Sequence, residues 1–162
     1  MKEFKIGIIQ LPYWSDFDRA KSSLVYMIDT ISKNHAALDI IALPEFCNCP
    51  GIEKIEEINE FVNLYGKEFI TQLKHASAKG KVWVAANILL DNGEKRSNCT
   101  LVFNRQGEII SSYDKVHITQ MEKKLGITAG CKPVVINIEG VRVGFANCFD
   151  IYFSEFFECI AT

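Results

Sequence analysis

The sequence lacks an excess of charge of either sign. Its 18 Lys and Arg residues nearly balance its 20 Asp and Glu residues, and the formal net charge is -2 at pH 7. A protein that binds nucleic acid through the phosphates usually carries a basic stripe, whereas the lysine pair Lys123-Lys124 directly follows Glu122. The composition therefore argues against a nucleic-acid partner and favours a neutral small molecule or another protein.

The sequence also lacks a long hydrophobic run. No apolar segment approaches the roughly 20 residues that a membrane-spanning helix needs. The first residues, MKEFKIGIIQLPYW, include charged side chains too early for an export signal. We therefore expect no membrane partner and a cytoplasmic location.

Glycine and proline are scarce, with 10 Gly and 4 Pro among 162 residues. Hydrophobic residues make up 48% of the chain and charged residues 23%. Such a composition is typical of a globular domain that is long enough to bury its own core. Because no linker, repeat or low-complexity stretch divides the chain, we treat residues 1–162 as one unit.

Cysteine is frequent, but without an export signal a disulfide framework is not expected. The six cysteines are Cys47, Cys49, Cys99, Cys131, Cys148 and Cys159. The pair Cys47 and Cys49 suggests a metal site, yet zinc sites usually separate paired cysteines by about two to four residues and need a second pair. Metal binding is therefore a distant alternative. Cys99 and Cys159 lie in apolar stretches, and we expect both to be buried.

Short apolar runs bounded by turn residues predict seven strands. They cover residues 4–10, 38–43, 81–90, 98–103, 109–113, 134–138 and 141–146. The last four strands are expected to form two hairpins, with turns at residues 104–107 and at Glu139-Gly140. The polar stretch over residues 117–132 receives no predicted element.

Helical periodicity predicts helices between the first three strands and after the last. The first begins at a cap at Ser15, and one or two helices over residues 55–78 end at Gly80. A further helix is expected to begin at about Phe153. Alternating strands and helices followed by hairpins predict an α/β fold with a mixed sheet.

Three side chains with complementary chemistry lie just after predicted strands. Glu45 in ALPEF, Lys115 in YDKVH and Cys148 in GFANCFD each follow the carboxyl end of a strand, where open α/β sheets collect their sites. Alone, each has an ordinary interpretation as a surface carboxylate, a solvated lysine or a core thiol. Together, an acid, a cation and a thiol can carry out acyl transfer.

The local sequence around two of these residues strengthens that interpretation. Glu45 lies in the apolar segment IIALPEF, where an unpaired carboxylate is costly, so we expect it to have a partner. Cys148 is followed by Phe149-Asp150. A strand-to-helix turn at that point would direct backbone N–H groups toward an oxyanion beside the sulfur.

These motifs, in this order, resemble the N-terminal part of the nitrilase superfamily, the carbon-nitrogen hydrolases. FKIGIIQLP resembles the family's first strand, ALPEF its glutamate motif, SNCTLVFNRQGEIISSYDKVH its lysine segment and GVRVGFANCFDIYFSEF its nucleophile motif. The resemblance implies a mixed-sheet αββα sandwich with roughly as much chain again after the cysteine. We therefore expect residues 1–162 to be a truncated carbon-nitrogen hydrolase domain whose C-terminal part is absent.

The resemblance also implies roles for individual residues. Cys148 matches the nucleophile, Glu45 the general base and Lys115 the lysine that stabilises the tetrahedral intermediate. Glu122 in QMEKK matches a second glutamate that many members place between the lysine and the cysteine. The backbone N–H of Phe149 would complete the oxyanion hole. The resemblance implies no cofactor and no metal.

One departure from the family pattern affects the expected substrate. The nucleophile motif of the family commonly continues with Asp-Leu-Arg-Phe-Pro-Glu, whereas Tyr152 and Ser154 stand here in place of its arginine and proline. These replacements change the expected wall of the site. A substrate carboxylate that relied on the arginine would lose its partner.

The resulting functional hypothesis is a hydrolase of non-peptide carbon-nitrogen bonds that forms a thioester on its cysteine. The expected substrate is a small linear amide or an N-carbamoyl amine. The alternative is a catalytically silent fragment or interaction module that needs a second chain. We expect homo-oligomers or association through an exposed sheet surface, because the helix face formed by Phe153, Phe156, Phe157 and Ile160 has no predicted partner. Residues 1–162 alone are therefore expected not to be a competent hydrolase.

Overall fold

The computed structural model describes residues 3–11 and 16–161. Within these residues the chain forms seven strands, four α-helices and one 3₁₀-helix. In chain order they are β1 (Ile6–Ile8), α1 (Phe17–Ile31), β2 (Ile40–Ala42), α2 (Ile55–Gly80), β3 (Trp83–Asp91), β4 (Arg96–Phe103), β5 (Ile109–Asp114), α3 (Gln120–Lys124), β6 (Val135–Ile138), β7 (Val141–Gly144), the 3₁₀-helix (Cys148–Tyr152) and α4 (Ser154–Ala161). All seven predicted strands are present, with ends that differ by a few residues.

The first five strands form one mixed sheet in the order β1-β2-β3-β4-β5. Strands β1, β2 and β3 pair in parallel, whereas β3, β4 and β5 pair antiparallel. Strands β2, β3 and β5 consequently run in the same direction, and their carboxyl ends meet at one edge of the sheet. The amino end of β4 lies at the same edge, where Leu89 is opposite Asn98. The predicted α/β class with a mixed sheet is confirmed.

Helices α1 and α2 cover one face of this sheet. Alternate residues of β3, namely Val84, Ala86 and Ile88, belong to the main hydrophobic core with buried residues of both helices. Alternation with a period of two is what a strand between two packed layers requires. Burial of this face supplies most of the apolar contact that holds the helices on the sheet.

The opposite face of the sheet carries a second core. Ala85, Val102 and Tyr113 pack there with residues of the two-stranded sheet formed by β6 and β7 and with Phe156 of α4. The described residues therefore stack helices, a five-stranded sheet and a two-stranded sheet, which is the layer order of the nitrilase type of fold.

α2 ends at Gly80, as predicted, but Gly80 is not the left-handed residue that stops the helix. α2 is one helix of 26 residues, and the left-handed residue that follows it is Lys81, with φ of 53°. Gly80 itself is helical, and a Cβ there would lie 2.0 Å from the carbonyl oxygen of Ile31. Glycine is needed because α2 closely approaches the end of α1. No described helix, including α2, is both long and apolar enough to span a membrane.

The hairpin of β6 and β7 turns where the sequence predicts. Glu139 and Gly140 both have positive φ, 51° and 94°, as a two-residue type I′ turn requires. The Glu139 carboxylate accepts hydrogen bonds from Trp83 Nε1 at 3.2 Å and Arg105 Nε at 2.5 Å. These bonds attach the turn to the five-stranded sheet.

Two helix starts differ from the predictions. α1 is capped by Asp16, whose Oδ1 accepts a hydrogen bond from Arg19 N at 2.8 Å, while the predicted cap Ser15 lies outside the described residues. α3 lies in the polar stretch that received no element. Its start is a capping box in which Thr119 and Glu122 bond to each other's backbone N–H, a pattern visible in the sequence.

The expectation that the C-terminal helix face lacks a partner is wrong for three of its four residues. Phe156 is 3% exposed, and Phe153 and Ile160 pack against the second core, whereas Phe157 is 41% exposed. The partner is the β6–β7 hairpin, which folds back beneath α4. A Cβ at Gly144 would lie 2.4 Å from the Ile160 side chain, so glycine permits this contact.

The expectation for the cysteines is half right. Cys99 is 1% exposed, as predicted, but Cys159 is exposed. Cys159 lies near the end of α4, three positions after the buried Phe156, and its apolar neighbours in the sequence do not decide its burial.

Candidate active site

The structure brings Glu45, Lys115, Glu122 and Cys148 to one pocket of about 530 Å³. Glu45 follows β2 and Lys115 follows β5, whose carboxyl ends share one edge of the large sheet. Cys148 arrives from the second sheet, just after β7. The pocket therefore opens beside the carboxyl ends of β2, β5 and β7, the position that the strand ends predict.

Lys115 lies at the centre of this group. Its Nζ is 2.9 Å from Glu45 Oε1, 3.0 Å from Glu122 Oε1 and 3.1 Å from Glu122 Oε2, and its side chain is 1% exposed. Burial by itself lowers the pKa of a lysine, but the hydrogen bonds with Glu45 and Glu122 outweigh burial and raise the pKa of Lys115. The buried nitrogen is therefore an ammonium ion that two carboxylates hold.

Glu122 is placed beside Lys115 by α3. Its Oε2 accepts a hydrogen bond from Thr119 N at 2.7 Å, and its Oε1 accepts one from Asn98 Nδ2 at 2.6 Å. Burial would raise the pKa of this carboxyl group, but the hydrogen bonds from Thr119, Asn98 and Lys115 prevail and lower the pKa of Glu122. Glu122 is thus a carboxylate at neutral pH. Together, Glu45, Asn98, Lys115 and Glu122 are called the carboxylate–lysine cluster below.

Glu45 faces both the cluster and the pocket. Its Oε1 accepts hydrogen bonds from Lys115 Nζ and, at 2.8 Å, from Asn98 Nδ2, so the expected partner is present. Its side chain is 29% exposed, which leaves part of the carboxylate accessible from the pocket. The following residue, Phe46, has φ of 53° and donates its N–H to Asn87 Oδ1 at 2.9 Å. This bond holds the Glu45 loop on β3.

Cys148 is the first residue of the 3₁₀-helix and is exposed. Its φ is 44°, a left-handed conformation that is uncommon for a residue with a Cβ and that often marks a functional site. Desolvation and the negative charge of Glu45 raise the pKa of Cys148, whereas Lys115 lowers it by less. The resting side chain is therefore a thiol rather than a preformed thiolate.

A second buried carboxylate fixes the segment that carries Cys148. Asp150 is fully buried and accepts hydrogen bonds from Tyr113 OH at 2.6 Å, His117 N at 3.0 Å, His117 Nδ1 at 2.9 Å and Asn147 N at 3.0 Å. These four residues are called the Asp150 anchor below. Tyr113 and His117 flank Lys115 in the sequence, and Asn147 precedes Cys148. The anchor therefore ties the thiol segment to the end of β5.

Two buried amides at the cluster, Asn87 and Asn98, are not among the site residues predicted from the sequence. Asn87 is 3% exposed and Asn98 is fully buried. The available signal was their position inside apolar strands, since a buried polar side chain requires hydrogen-bonding partners. What those partners are depends on the register of β3 and β4, which the sequence does not show.

The pair Cys47 and Cys49 lies in the main core. Desolvation raises the pKa of Cys47 well above its usual value and that of Cys49 to about 12, so both are thiols at neutral pH. Zinc binds thiolates. Among residues 3–11 and 16–161, no three His, Cys, Asp or Glu side chains are grouped to hold a metal ion.

The chain is similar to known proteins in both sequence and structure. The family model for carbon-nitrogen hydrolases matches residues 5–161. The chain is 27% identical to the chloroplastic omega-amidase of Arabidopsis thaliana over 96% of this chain and 45% of that protein. It is 30% identical to vanin-like protein 1 of Drosophila melanogaster over 93% of this chain and 30% of that protein. The chain thus spans half or less of the length of these two relatives.

Solved structures show the same fold. An amidase from Nesterenkonia sp. AN1, which carries the acetamide moiety of fluoroacetamide on its active-site cysteine, superimposes with a TM-score of 0.79. The match covers 98% of this chain and 60% of that chain at 17% sequence identity. With a family model that spans nearly all described residues and a fold shared with such an amidase, the chain belongs to the carbon-nitrogen hydrolase family.

Proposed function

We propose that the protein hydrolyses non-peptide carbon-nitrogen bonds of small amides, with Cys148 as the nucleophile. The observation that carries the proposal is the meeting of Glu45, Lys115, Glu122 and Cys148 at one pocket. These residues come from four different segments of the chain. A structural ion pair alone does not need an exposed thiol in a left-handed conformation beside it.

The first half of the proposed reaction forms a thioester. Glu45 accepts the proton of the Cys148 thiol as the sulfur attacks the substrate carbonyl carbon, so a C–S bond forms and the carbonyl oxygen becomes an oxyanion. The Lys115 ammonium and the backbone N–H of Phe149 stabilise that negative charge. When the oxyanion collapses, the C–N bond breaks, and Glu45 returns the proton to the departing amine.

The second half releases the acid. Water attacks the thioester carbon while Glu45 accepts one of its protons, and the C–S bond then breaks. The sulfur leaves as a thiolate and recovers the proton from Glu45. Glu122 keeps Lys115 charged and in place through both halves, since it contacts the ammonium with both oxygens.

Charge in the pocket supports an uncharged substrate. The charged residues of its lining are Glu45, Glu53, Glu122 and Lys115, and the lysine already pairs with two of the glutamates. A substrate carboxylate would therefore meet net negative charge within the described pocket. Small linear amides and N-carbamoyl amines without a carboxylate fit this lining better.

The test measures ammonia release from a set of small amides and N-carbamoyl amines. In this and every kinetic test below, except that of the isolated chain, the expected C-terminal part of the domain is supplied in the same chain or as a second polypeptide. Cys148→Ala should abolish release, whereas Cys131→Ala, which removes another exposed thiol, should leave it unchanged. Fluoroacetamide should add one acetamide group to the protein and none to Cys148→Ala. Full turnover in Cys148→Ala would refute the proposal.

Whether residues 1–162 are active alone stays a separate prediction. On the edge strand β1, Ile6 is 58% exposed and Ile8 is 74% exposed, a surface through which the chain can associate. We expect the isolated chain to self-associate and to lack turnover. The measurements are the mass of the isolated chain in solution and its release of ammonia. A soluble monomer with Cys148-dependent turnover would contradict the expectation. An inert monomer would favour the alternative of a silent interaction module.

A further inference from the structure

Asn98 bonds to both carboxylates of the site with one nitrogen. Its Nδ2 lies 2.8 Å from Glu45 Oε1 and 2.6 Å from Glu122 Oε1, and the residue is fully buried. An amide nitrogen has two hydrogens, so each carboxylate receives one. Asn98 therefore connects two glutamates that lie 77 positions apart in the sequence through a single rigid group.

The orientation of the Asn98 amide is set by its neighbour. Asn98 Oδ1 accepts a hydrogen bond from Asn87 Nδ2 at 2.6 Å. Asn87 in turn must direct its Oδ1 away from Asn98, because that oxygen accepts the backbone N–H of Phe46 at 2.9 Å. A backbone N–H can only donate. The direction of every bond from Phe46 through Asn87 to Asn98 is consequently determined.

We infer that Asn98 is a positioning residue for the reaction: oriented by Asn87, it holds Glu45 and Glu122 together against Lys115 and so keeps Glu45 directed toward Cys148. The inference rests on the proposed function for the role of Glu45. Its geometric basis is the chain of bonds itself, which starts at the backbone of the residue after Glu45 and returns to the Glu45 side chain.

A neutral donor suits this position better than a charged one. Two carboxylates already share one ammonium, and a second cation beside Glu45 would stabilise its charged form and weaken it as a proton acceptor. The carboxamide satisfies the buried oxygens without adding charge. It also cannot lose a proton to the carboxylates, so it holds them in place throughout the reaction.

The test compares the same substitution at two equally buried asparagines. Asn98→Ser leaves a shorter single donor that cannot reach both carboxylates. Asn48→Ser is the control, because Asn48 is 1% exposed and its described bonds go to the backbone of Leu89 and, at 3.9 Å, to the Cys49 thiol rather than to either carboxylate of the site. Both variants should lower the unfolding temperature. Only Asn98→Ser should lower kcat, by about 100-fold, with little change in KM.

A second readout does not depend on hydrolysis. The rate of Cys148 alkylation by iodoacetamide is measured against pH, and it responds to Glu45, Lys115 and Glu122, the charged groups that act on the sulfur. In Asn98→Ser, Glu45 is no longer held toward the sulfur, and because Glu45 raises the pKa of the thiol, the midpoint should move to lower pH. Asn48→Ser should keep the midpoint of the unmodified chain. A shift without any hydrolysis by the unmodified protein with its C-terminal part supplied would show that Asn98 holds Glu45 toward the sulfur and would refute the proposed function.

The inference would be overturned if Asn98→Ser and Asn48→Ser had equal unfolding temperatures, equal kcat and unshifted alkylation midpoints. Asn98 would then be a structural residue. If Asn98→Ser does not fold, the unmodified chain still answers by NMR with ¹⁵N-labelled asparagine. Both amide protons of Asn98 should shift downfield, and Glu45→Gln should move one of them more than the other. Two unshifted protons would contradict the shared bond.

Discussion

The two buried carboxylates on either side of Cys148 are stabilised in opposite ways. In the carboxylate–lysine cluster, Glu122 faces an ammonium at 3.0 Å and Glu45 shares the same ion. In the Asp150 anchor, the carboxylate is surrounded by a phenol, an imidazole and backbone N–H groups. The cluster is therefore built on ion pairs with Lys115, whereas the anchor consists of hydrogen bonds that hold the Cys148 segment in position.

The two regions are therefore expected to have different roles: the cluster takes part in the proposed reaction, and the anchor holds the thiol segment in place. Glu45, Lys115 and Glu122 of the cluster line the pocket, and in the proposed reaction Glu45 exchanges a proton with the thiol. Asp150 is fully buried in the segment that carries Cys148, and its neighbour His117 is stacked on Phe153 with ring centroids 3.6 Å apart. Changes in the cluster should affect the chemical step, and changes in the anchor should affect stability.

The largest expected effect breaks the cluster. Glu45→Gln keeps size but cannot accept a proton, and Lys115→Met keeps the stem but not the charge. Each should lower kcat by about 100-fold or more, because each removes a group that acts mainly in the transition state. Steady-state kinetics with an active amide measure the effect. Losses confined to a higher KM would show that both residues only shape the pocket.

A second prediction uses the sign of the Cys148 pKa shift. Glu45 raises the pKa of the thiol, so Glu45→Gln should lower that pKa and speed alkylation by iodoacetamide severalfold at pH 8 while turnover falls. The same variant thus becomes more easily alkylated and less active. Slower alkylation in Glu45→Gln would mean that the carboxylate does not act on the sulfur.

The anchor is tested by Tyr113→Phe, which removes one of the donors to Asp150 but keeps the ring in the second core. Loss of this bond at a buried carboxylate should cost about 1–3 kcal/mol of unfolding free energy. Denaturant unfolding measures the cost. A hundredfold loss of kcat with unchanged stability would place the anchor in the chemistry and remove the contrast between the two regions.

The smallest expected effect concerns thiols that belong to neither region. Cys99→Ala removes a buried sulfur and should cost about 1 kcal/mol, whereas Cys159→Ala acts at an exposed position and should cost less than half of that. Thermal unfolding of the two variants gives the comparison. Neither should alter turnover, so a large loss of kcat in Cys99→Ala would extend the site into the core.

Much of the fold could be predicted from the periodicity of apolar residues and from the residue types at turns. Apolar runs located all seven strands, and the Glu139-Gly140 turn follows from the positive φ that both positions require. The meeting of Glu45 and Lys115 at one edge also followed, since β2 and β5 run in the same direction within one sheet, whereas Cys148 joins them from β7 of the second sheet. The capping box of α3 was present in the sequence but was not used, so Glu122 was located by resemblance alone.

Other features depend on contacts between distant segments. The sequence shows that Asn87 and Asn98 are polar residues in apolar strands, but only the register of β3 on β4 makes them neighbours. The partner of α4 was missed for the same reason, because the return of the β6–β7 hairpin onto the large sheet is a tertiary event.

The sequence by itself determined the strands, the α/β class, the hairpin turn and the three side chains whose chemistry defines the site. These depend on periodicity, backbone conformation and residue type, which act over a few neighbouring residues. Tertiary structure decided that one lysine is shared by two glutamates, that one asparagine holds both, and that Asp150 ties the thiol segment to β5. Those arrangements need burial and exact register, and burial is what makes an unpaired charge costly enough to select them.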